Sequence, residues 1–276
     1  MKARHRMNMY NQDPKDEYKF LKGLLFGLFL ILLLFWVIAN PDRCNGDRQT
    51  MRLNDYYNIH KDKAVLVCGC GSSLHDLHLR SYEKVITIGV NAIGRIFTPD
   101  YLVFADDMQL QLLFAQTHPD YDNPHYILHS QAQSIFMYDH IYRHNLKYFP
   151  TEQINKIVEM PAQHIRNTQV YQRSHIYYSE TSPMLALSLA IFMGAKTVGV
   201  VGFDFTGNYA WDNKYYNKSY FNSRFEQINS DLETLVRLST QQHGIKFMNF
   251  SKISRFECIQ KVEPCNIVEF YGYKEV

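Results

Sequence analysis

Residues 64–77 read AVLVCGCGSSLHDL, an apolar run that breaks at Gly69-Cys70-Gly71 into the hydroxyl pair Ser72-Ser73. Such a run followed by glycines and N-cap residues is the pattern of a strand, a tight turn and a helix start. Glycine lets a backbone approach a ligand closely, and free N–H groups at a helix start attract anions. Two readings follow: a cradle for a nucleotide phosphate, or an ordinary turn of an α/β fold.

The chain has 276 residues, 46% hydrophobic and 20% charged, enough for one sizeable core. A net charge of +2, with the 20 Tyr and 18 Phe scattered rather than interleaved with Arg and Lys, excludes a nucleic-acid binder driven by phosphate neutralisation. Cys44, Cys68, Cys70, Cys258 and Cys265 have no zinc-ligand spacing. Cys258 and Cys265 are spaced to pair in an oxidising compartment or to remain two buried thiols.

Residues 1–22 form a basic-leaning tail carrying Lys2, Arg4, Arg6, Lys15, Lys19 and Lys22. Residues 23–39, GLLFGLFLILLLFWVIA, carry no charge and reach the lower length limit of about 17 residues for a membrane-spanning helix. The basic flank places the N-terminus in the cytoplasm. The expected localisation is a single-pass membrane protein, Golgi-type in a eukaryote or inner-membrane in a bacterium. Residues 40–62 read as a stem. Asn217-Lys-Ser219 and Asn249-Phe-Ser251 are sequons that a lumen would make usable.

From 63 to 276 strand-like runs alternate with helical ones. Strands are expected at 64–68, 85–90, 101–105, 125–128, 197–202 and 246–250. A buried helix is expected at 184–193, stopped by Gly194. A second helix, with Phe225, Ile228, Leu232, Leu235 and Leu238 on one face, is stopped by Gly244. Strands separated by helices predict a single Rossmann-like domain, a mostly parallel sheet with helices on both faces, preceded by one transmembrane helix.

Ligands of such sheets bind outside the carboxyl ends of the strands. The first strand ends in Gly69, Cys70, Gly71, Ser72 and Ser73. The second ends at Asn91, either an amide for sugar or base or a turn residue. Leu74 stands where a dinucleotide fold needs a third glycine, and Asn91 where it needs an acid, so NAD is disfavoured. The third strand ends in Asp106-Asp107, with Asp106 suited to a hydroxyl or a divalent cation and Asp107 to a helix cap. Thr181-Ser182-Pro183 opens the buried helix with proline at the first helical position. Asp204, Phe205, Thr206 and Tyr209 lie in the polar and aromatic loop after the next strand. Together these groups describe a pocket for a polar anionic ligand such as a nucleotide sugar.

The ordered motifs resemble the bacterial CMP-sialic-acid-dependent sialyltransferases and the related 6-hydroxymethylpterin pyrophosphokinase-like domain, which includes flagellin-modifying glycosyltransferases. Gly69-Cys-Gly-Ser-Ser-Leu74 is similar to their Gly-Asn-Gly-Pro-Ser-Leu turn. Thr181-Ser-Pro183 with its Ala-rich helix is similar to their Thr-Ser-Gly segment, and Gly202-Phe-Asp-Phe205 with Tyr209-Ala-Trp-Asp212 to their Gly-Ile-Asp-Phe and Tyr-Ala-Phe-Asp. The resemblance spans about residues 63–250. It implies a GT-A-like fold and metal-independent transfer of a sialic acid or related nonulosonate from a CMP-sugar to a glycan acceptor, with no further cofactor. It also implies that Asn91 and Asp106 contact the donor and that Tyr209 steadies the leaving phosphate.

The chain departs from that pattern at three places. Thr206 stands where a second tyrosine belongs, Cys70 replaces an asparagine, and Glu226 falls where the general-base histidine belongs. No histidine occurs between His175 and His243. Glu226 is either the replacement base or a solvent-facing helix residue. Two other functions are consistent with these residues: a Mg²⁺-dependent ATP diphosphokinase-like enzyme acting through Asp106, and an inactive membrane-tethered nucleotide- or glycan-binding protein.

Overall fold

The computed structural model describes residues 51–76, 85–91, 93, 98–105, 133–138, 156–167, 172–179, 181–210 and 218–263, with side chains from 222 onward in the last segment. The chain divides into two compact units, 1–49 and 50–276, and every described residue belongs to the second.

Among the described residues, seven parallel strands form the main sheet. They are β1 (Ala64–Cys68), β2 (Ile86–Val90), β3 (Tyr101–Phe104), β4 (Ser134–Tyr138), β5 (Ile157–Met160), β8 (Thr197–Val201) and β9 (Lys246–Asn249). Their order is β5-β4-β3-β2-β1-β8-β9, every neighbouring pair parallel. A two-stranded parallel sheet, β6 (Ala162–His164) and β7 (Ile176–Tyr178), stands apart from it. The expected parallel α/β sheet is therefore present. The chain winds outward from β1 to β5, then returns to the other side of β1 for β8 and β9. This reversal between β1 and β8 is where an open α/β sheet leaves a crevice at its carboxyl edge.

Alternation along the strands sorts the core into two layers, because successive side chains point to opposite faces. Val65, Val67, Ile88, Val103, Phe136 and Val158 line one face, and Leu66, Cys68, Leu102, Phe104, Ile135 and Met137 line the other. Helix α1 (Ser182–Phe192) lies against the first face, with every residue but Pro183 buried. Its run SPMLALSLAIF has no polar side because none of its sides meets water. Helix α2 (Lys218–His243) packs there too, through Phe225, Ile228, Leu232 and Leu235. Gly194 and Gly244 end the two helices at φ +90° and +61°, as their positions predicted. Helices on both faces were expected. Among the described residues both α-helices share the first face, and Leu74, Ile93, Ala210 and Phe250 cover the second.

Four strands escaped the sequence reading: β4, β5, β6 and β7 are three to five residues long, and β5 exposes Glu159 on the edge of the sheet. The expected strand at 125–128 lies outside the described residues.

Residues 51–62, within the expected stem, pack against the sheet domain. Tyr56 is buried against Phe136 with ring centroids 4.8 Å apart, and its hydroxyl meets that of Ser134. The amides of Asn58, His60 and Asp62 bond the carbonyls of Phe192, Met193 and Gly194 at the end of α1. The expected span at 23–39 lies outside the described residues. The expected single-pass localisation is not supported: among the described residues no helix is long and apolar enough to cross a membrane. Asn249 is 1% exposed at the end of β9 and accepts a bond from the Ser251 amide, so that sequon cannot carry a glycan in the folded chain. Cys68, Cys70 and Cys258 form no disulfide, and burial pushes the Cys258 thiol up to about 12. Cys265, the other cysteine of that possible pair, lies outside the described residues.

Candidate functional site

The turn after β1 sits at the reversal point of the sheet, and its glycines answer to the chain itself. A Cβ at Gly69 would lie 2.4 Å from the Gly202 carbonyl oxygen, and one at Gly71 would lie 2.6 Å from the Asp204 carboxylate. The two backbones press together here, and the turn's amides serve that contact. Gly69 N–H donates to Val201 O (2.8 Å), Gly71 N–H to Gly202 O (2.9 Å), and Ser72 N–H to Asn208 O (3.2 Å). Ser73 N–H donates to Asp204 Oδ2 (2.8 Å). An anion cradle needs amides without partners, and these four have partners. The short 3₁₀ turn over Ser72–Asp76 follows at once.

Asp204 explains why the hydroxyl pair is there. Its carboxylate, 1% exposed, accepts from Ser72 Oγ at 3.2 Å and from Ser73 Oγ as well as from the Ser73 amide. Ser73 Oγ in turn accepts from the Gly202 amide at 3.1 Å and lies 2.9 Å from Ser251 Oγ. A buried carboxylate is stable only when its oxygens are well bonded, and this one is. Ser73 and Asp204 were expected to bind a donor. The structure instead uses both to lock the turn to the loop after β8. Tyr209 pairs with Gly71 in an isolated bridge, and Ala210 N–H reaches Cys70 O at 3.0 Å. The half-buried thiol of Cys70 points to Val90 O at 3.4 Å, toward the end of β2.

A few residues away the polar groups are arranged differently. Asn91 follows β2 with φ +49°, a left-handed conformation unusual outside glycine. Its Oδ1 accepts from Ser182 Oγ at 2.8 Å, tying the end of β2 to the first residue of α1. Thr181 stands at the N-cap of α1 in extended conformation (φ −144°, ψ 141°) without making the cap bond. Its Oγ1 is buried and has no hydrogen-bond partner. Leaving a buried hydroxyl unsatisfied costs about 1–3 kcal/mol. Thr206 Oγ1, after Phe205 at φ +50°, is a second buried hydroxyl without a partner. Strained backbone and orphaned polar atoms are features that functional sites often share.

Two braces that sequence reading missed hold these groups. Behind α1, buried Asp231 accepts from Ser179 Oγ, from Gln227 Nε2 (2.9 Å) and from Arg166 Nε (3.3 Å), holding Ser179 two residues before Thr181. The available signal was a carboxylate at 231, inside the apolar register of α2. Behind the β8 loop, Arg255 lies over the Phe225 ring at 3.7 Å and donates to Phe205 O at 3.2 Å. Ser254 Oγ donates to Phe203 O at 2.7 Å. No pattern in the sequence marks Arg255. Glu226 is exposed on α2, the solvent-facing alternative of its two readings. Asp106 lies outside the described residues. Among the described residues no group of three or more His, Cys, Asp or Glu is placed to hold a metal ion.

No family model matches the chain, and no curated relative matches it. Solved structures do. The sialyltransferase CstII from Campylobacter jejuni, in complex with the substrate analogue CMP-3FNeuAc, is 18% identical over 68% of this chain and 80% of that one, with a TM-score of 0.41. A CstII structure with a trisaccharide acceptor and CMP is 16% identical over 67% and 79%, TM-score 0.41. The MAf glycosyltransferase from Magnetospirillum magneticum AMB-1 is 12% identical over 82% of this chain and 41% of that one, TM-score 0.43. Likenesses of this size say nothing about the activity of the present chain.

Proposed function

We propose that this chain is a glycosyltransferase that takes a sugar, a sialic acid or related nonulosonate, from a CMP-activated donor to a glycan acceptor. The observation that carries the reading is the meeting of separate motifs at one sheet edge: Ser182 bonded to Asn91, Gly71 paired with Tyr209, and the Thr181 hydroxyl buried without a partner. The ordered resemblance of 69–74, 181–183 and 202–212 to CMP-sugar enzymes supports the choice of nucleotide.

In this reading the phosphate lies at the start of α1, where the helix dipole favours negative charge and Thr181 and Ser182 offer hydroxyls. Thr206 and Tyr209 face the departing phosphate from the β8 loop, supplying donors where charge develops. Asn91 and Asp106 hold the nucleoside or sugar, and Cys70 lines the turn. Gly69, Gly71, Ser72, Ser73, Asp204 and Phe205 give this wall its shape.

Isothermal titration of the full chain with CMP, UDP and ATP, with and without Mg²⁺, tests the reading. Binding of CMP in preference to UDP, independent of Mg²⁺, is the expected result. ATP binding that requires Mg²⁺ overturns it in favour of diphosphate transfer. Binding of a glycan without any nucleotide leaves a lectin-like protein of the same fold.

A further inference from the structure

Resting on the CMP-sugar reading above, we infer that His164, with Tyr178 and Tyr138, forms the acceptor side of the site, and that the His164 imidazole is the base that deprotonates the acceptor hydroxyl. Sugar transfer needs a proton acceptor within reach of the incoming hydroxyl. Glu226 is exposed on α2.

The small sheet supplies another candidate. β6 and β7 run parallel with His164 opposite Tyr178, so both lie where their strands end. Tyr178 is three residues before Thr181, and Ser179 between them is pinned by Asp231. Tyr138 ends β4 at the carboxyl edge of the main sheet and stacks on Tyr178, centroids 4.6 Å apart and planes 18° apart. The His164 ring meets Tyr178 edge-on, 5.9 Å away at 72°. All three rings are half-buried. A pair of stacked phenols with an imidazole at its edge is a surface for the apolar face of a pyranose and a base for its hydroxyl.

The imidazole is not otherwise engaged. The His164 side chain makes no hydrogen bond among the described residues, and its Nδ1 is buried without a partner. A neutral imidazole carries one N–H and one nitrogen that can take up a proton. In the transfer step the acceptor oxygen attacks the anomeric carbon of the donor sugar. The bond from that carbon to the phosphate oxygen breaks, and CMP leaves with the electron pair. The acceptor proton passes to His164, which becomes imidazolium and later returns it to solvent.

The test uses the full chain, CMP titration, and release of CMP from CMP-N-acetylneuraminate with and without lactose. His164→Gln is expected to lower CMP release at least ~100-fold while CMP affinity stays within about twofold, and added imidazole is expected to restore part of the rate to His164→Ala. Tyr178→Ala is expected to raise KM for lactose roughly 10-fold with little change in release to water, and this variant carries the test if the histidine variants fail to fold. Wild-type rates in His164→Gln overturn the inference and leave the CMP-sugar reading intact. CMP binding by the wild-type chain without any release from the donor overturns the inference too. A wild-type chain that does not bind CMP overturns both.

Discussion

The turn after β1 and the start of α1 lie at the same edge of the sheet and are built on opposite principles. At the turn, buried polar groups find partners within the chain: the amides of Gly69, Gly71, Ser72 and Ser73 are bonded, and Asp204 is held by Ser72 and Ser73. At the helix start, the Thr181 hydroxyl is buried and unbonded beside a residue, Asn91, held at φ +49°. A polar group satisfied internally adds to the rigidity of the fold, and one left orphaned costs stability until a ligand arrives. The glycine-rich stretch that looks most like a binding motif is thus the frame. The plainer Thr-Ser-Pro segment is where the proposed function puts the ligand.

Substitutions separate the two regions, beginning with the frame. Asp204→Ala leaves the Ser73 amide and two hydroxyls without an acceptor in a buried place, and is expected to cost roughly 3 kcal/mol or more in urea unfolding. Gly69→Ala drives a Cβ to within 2.4 Å of the Gly202 carbonyl and is expected to cost about 2–3 kcal/mol by the same measurement. If either variant is as stable as wild type, the turn is not the rigid frame described.

At the helix start the signs divide. Thr181→Val removes an unsatisfied hydroxyl while keeping its shape, so the apo protein is expected to gain about 1 kcal/mol while affinity for CMP falls about 10-fold. Loss of both stability and affinity, by thermal melting and calorimetry, would make Thr181 part of the frame as well. Ser182→Ala breaks only the bond to Asn91 and is expected to cost about 1 kcal/mol.

The smallest effect concerns the half-buried Cys70. Bound CMP is expected to slow its modification by a thiol reagent severalfold, read by mass spectrometry. Cys68, fully buried with its thiol pushed well up by desolvation, is expected to stay unmodified in folded protein with or without CMP. Equal Cys70 rates with and without CMP would move the nucleotide off the turn altogether.

Local pattern alone determined a good deal of this protein. The apolar runs of β1, β2, β3, β8 and β9, the buried helix before Gly194 and the long amphipathic helix before Gly244 were legible, because period and punctuation are properties of neighbouring residues. So was the sheet edge at which to look for a site, since strand ends follow from strands. What each polar group does there was not legible. Whether an amide in the turn faces a phosphate or the Gly202 carbonyl depends on β8, which returns to pair with β1 from more than a hundred residues away. The same holds for Ser73 with Asp204, Ser182 with Asn91 and Arg255 with the Phe205 carbonyl, all long-range contacts. Local sequence announces donors and acceptors, but only the tertiary structure decides which of them already have partners, and therefore which remain for a ligand.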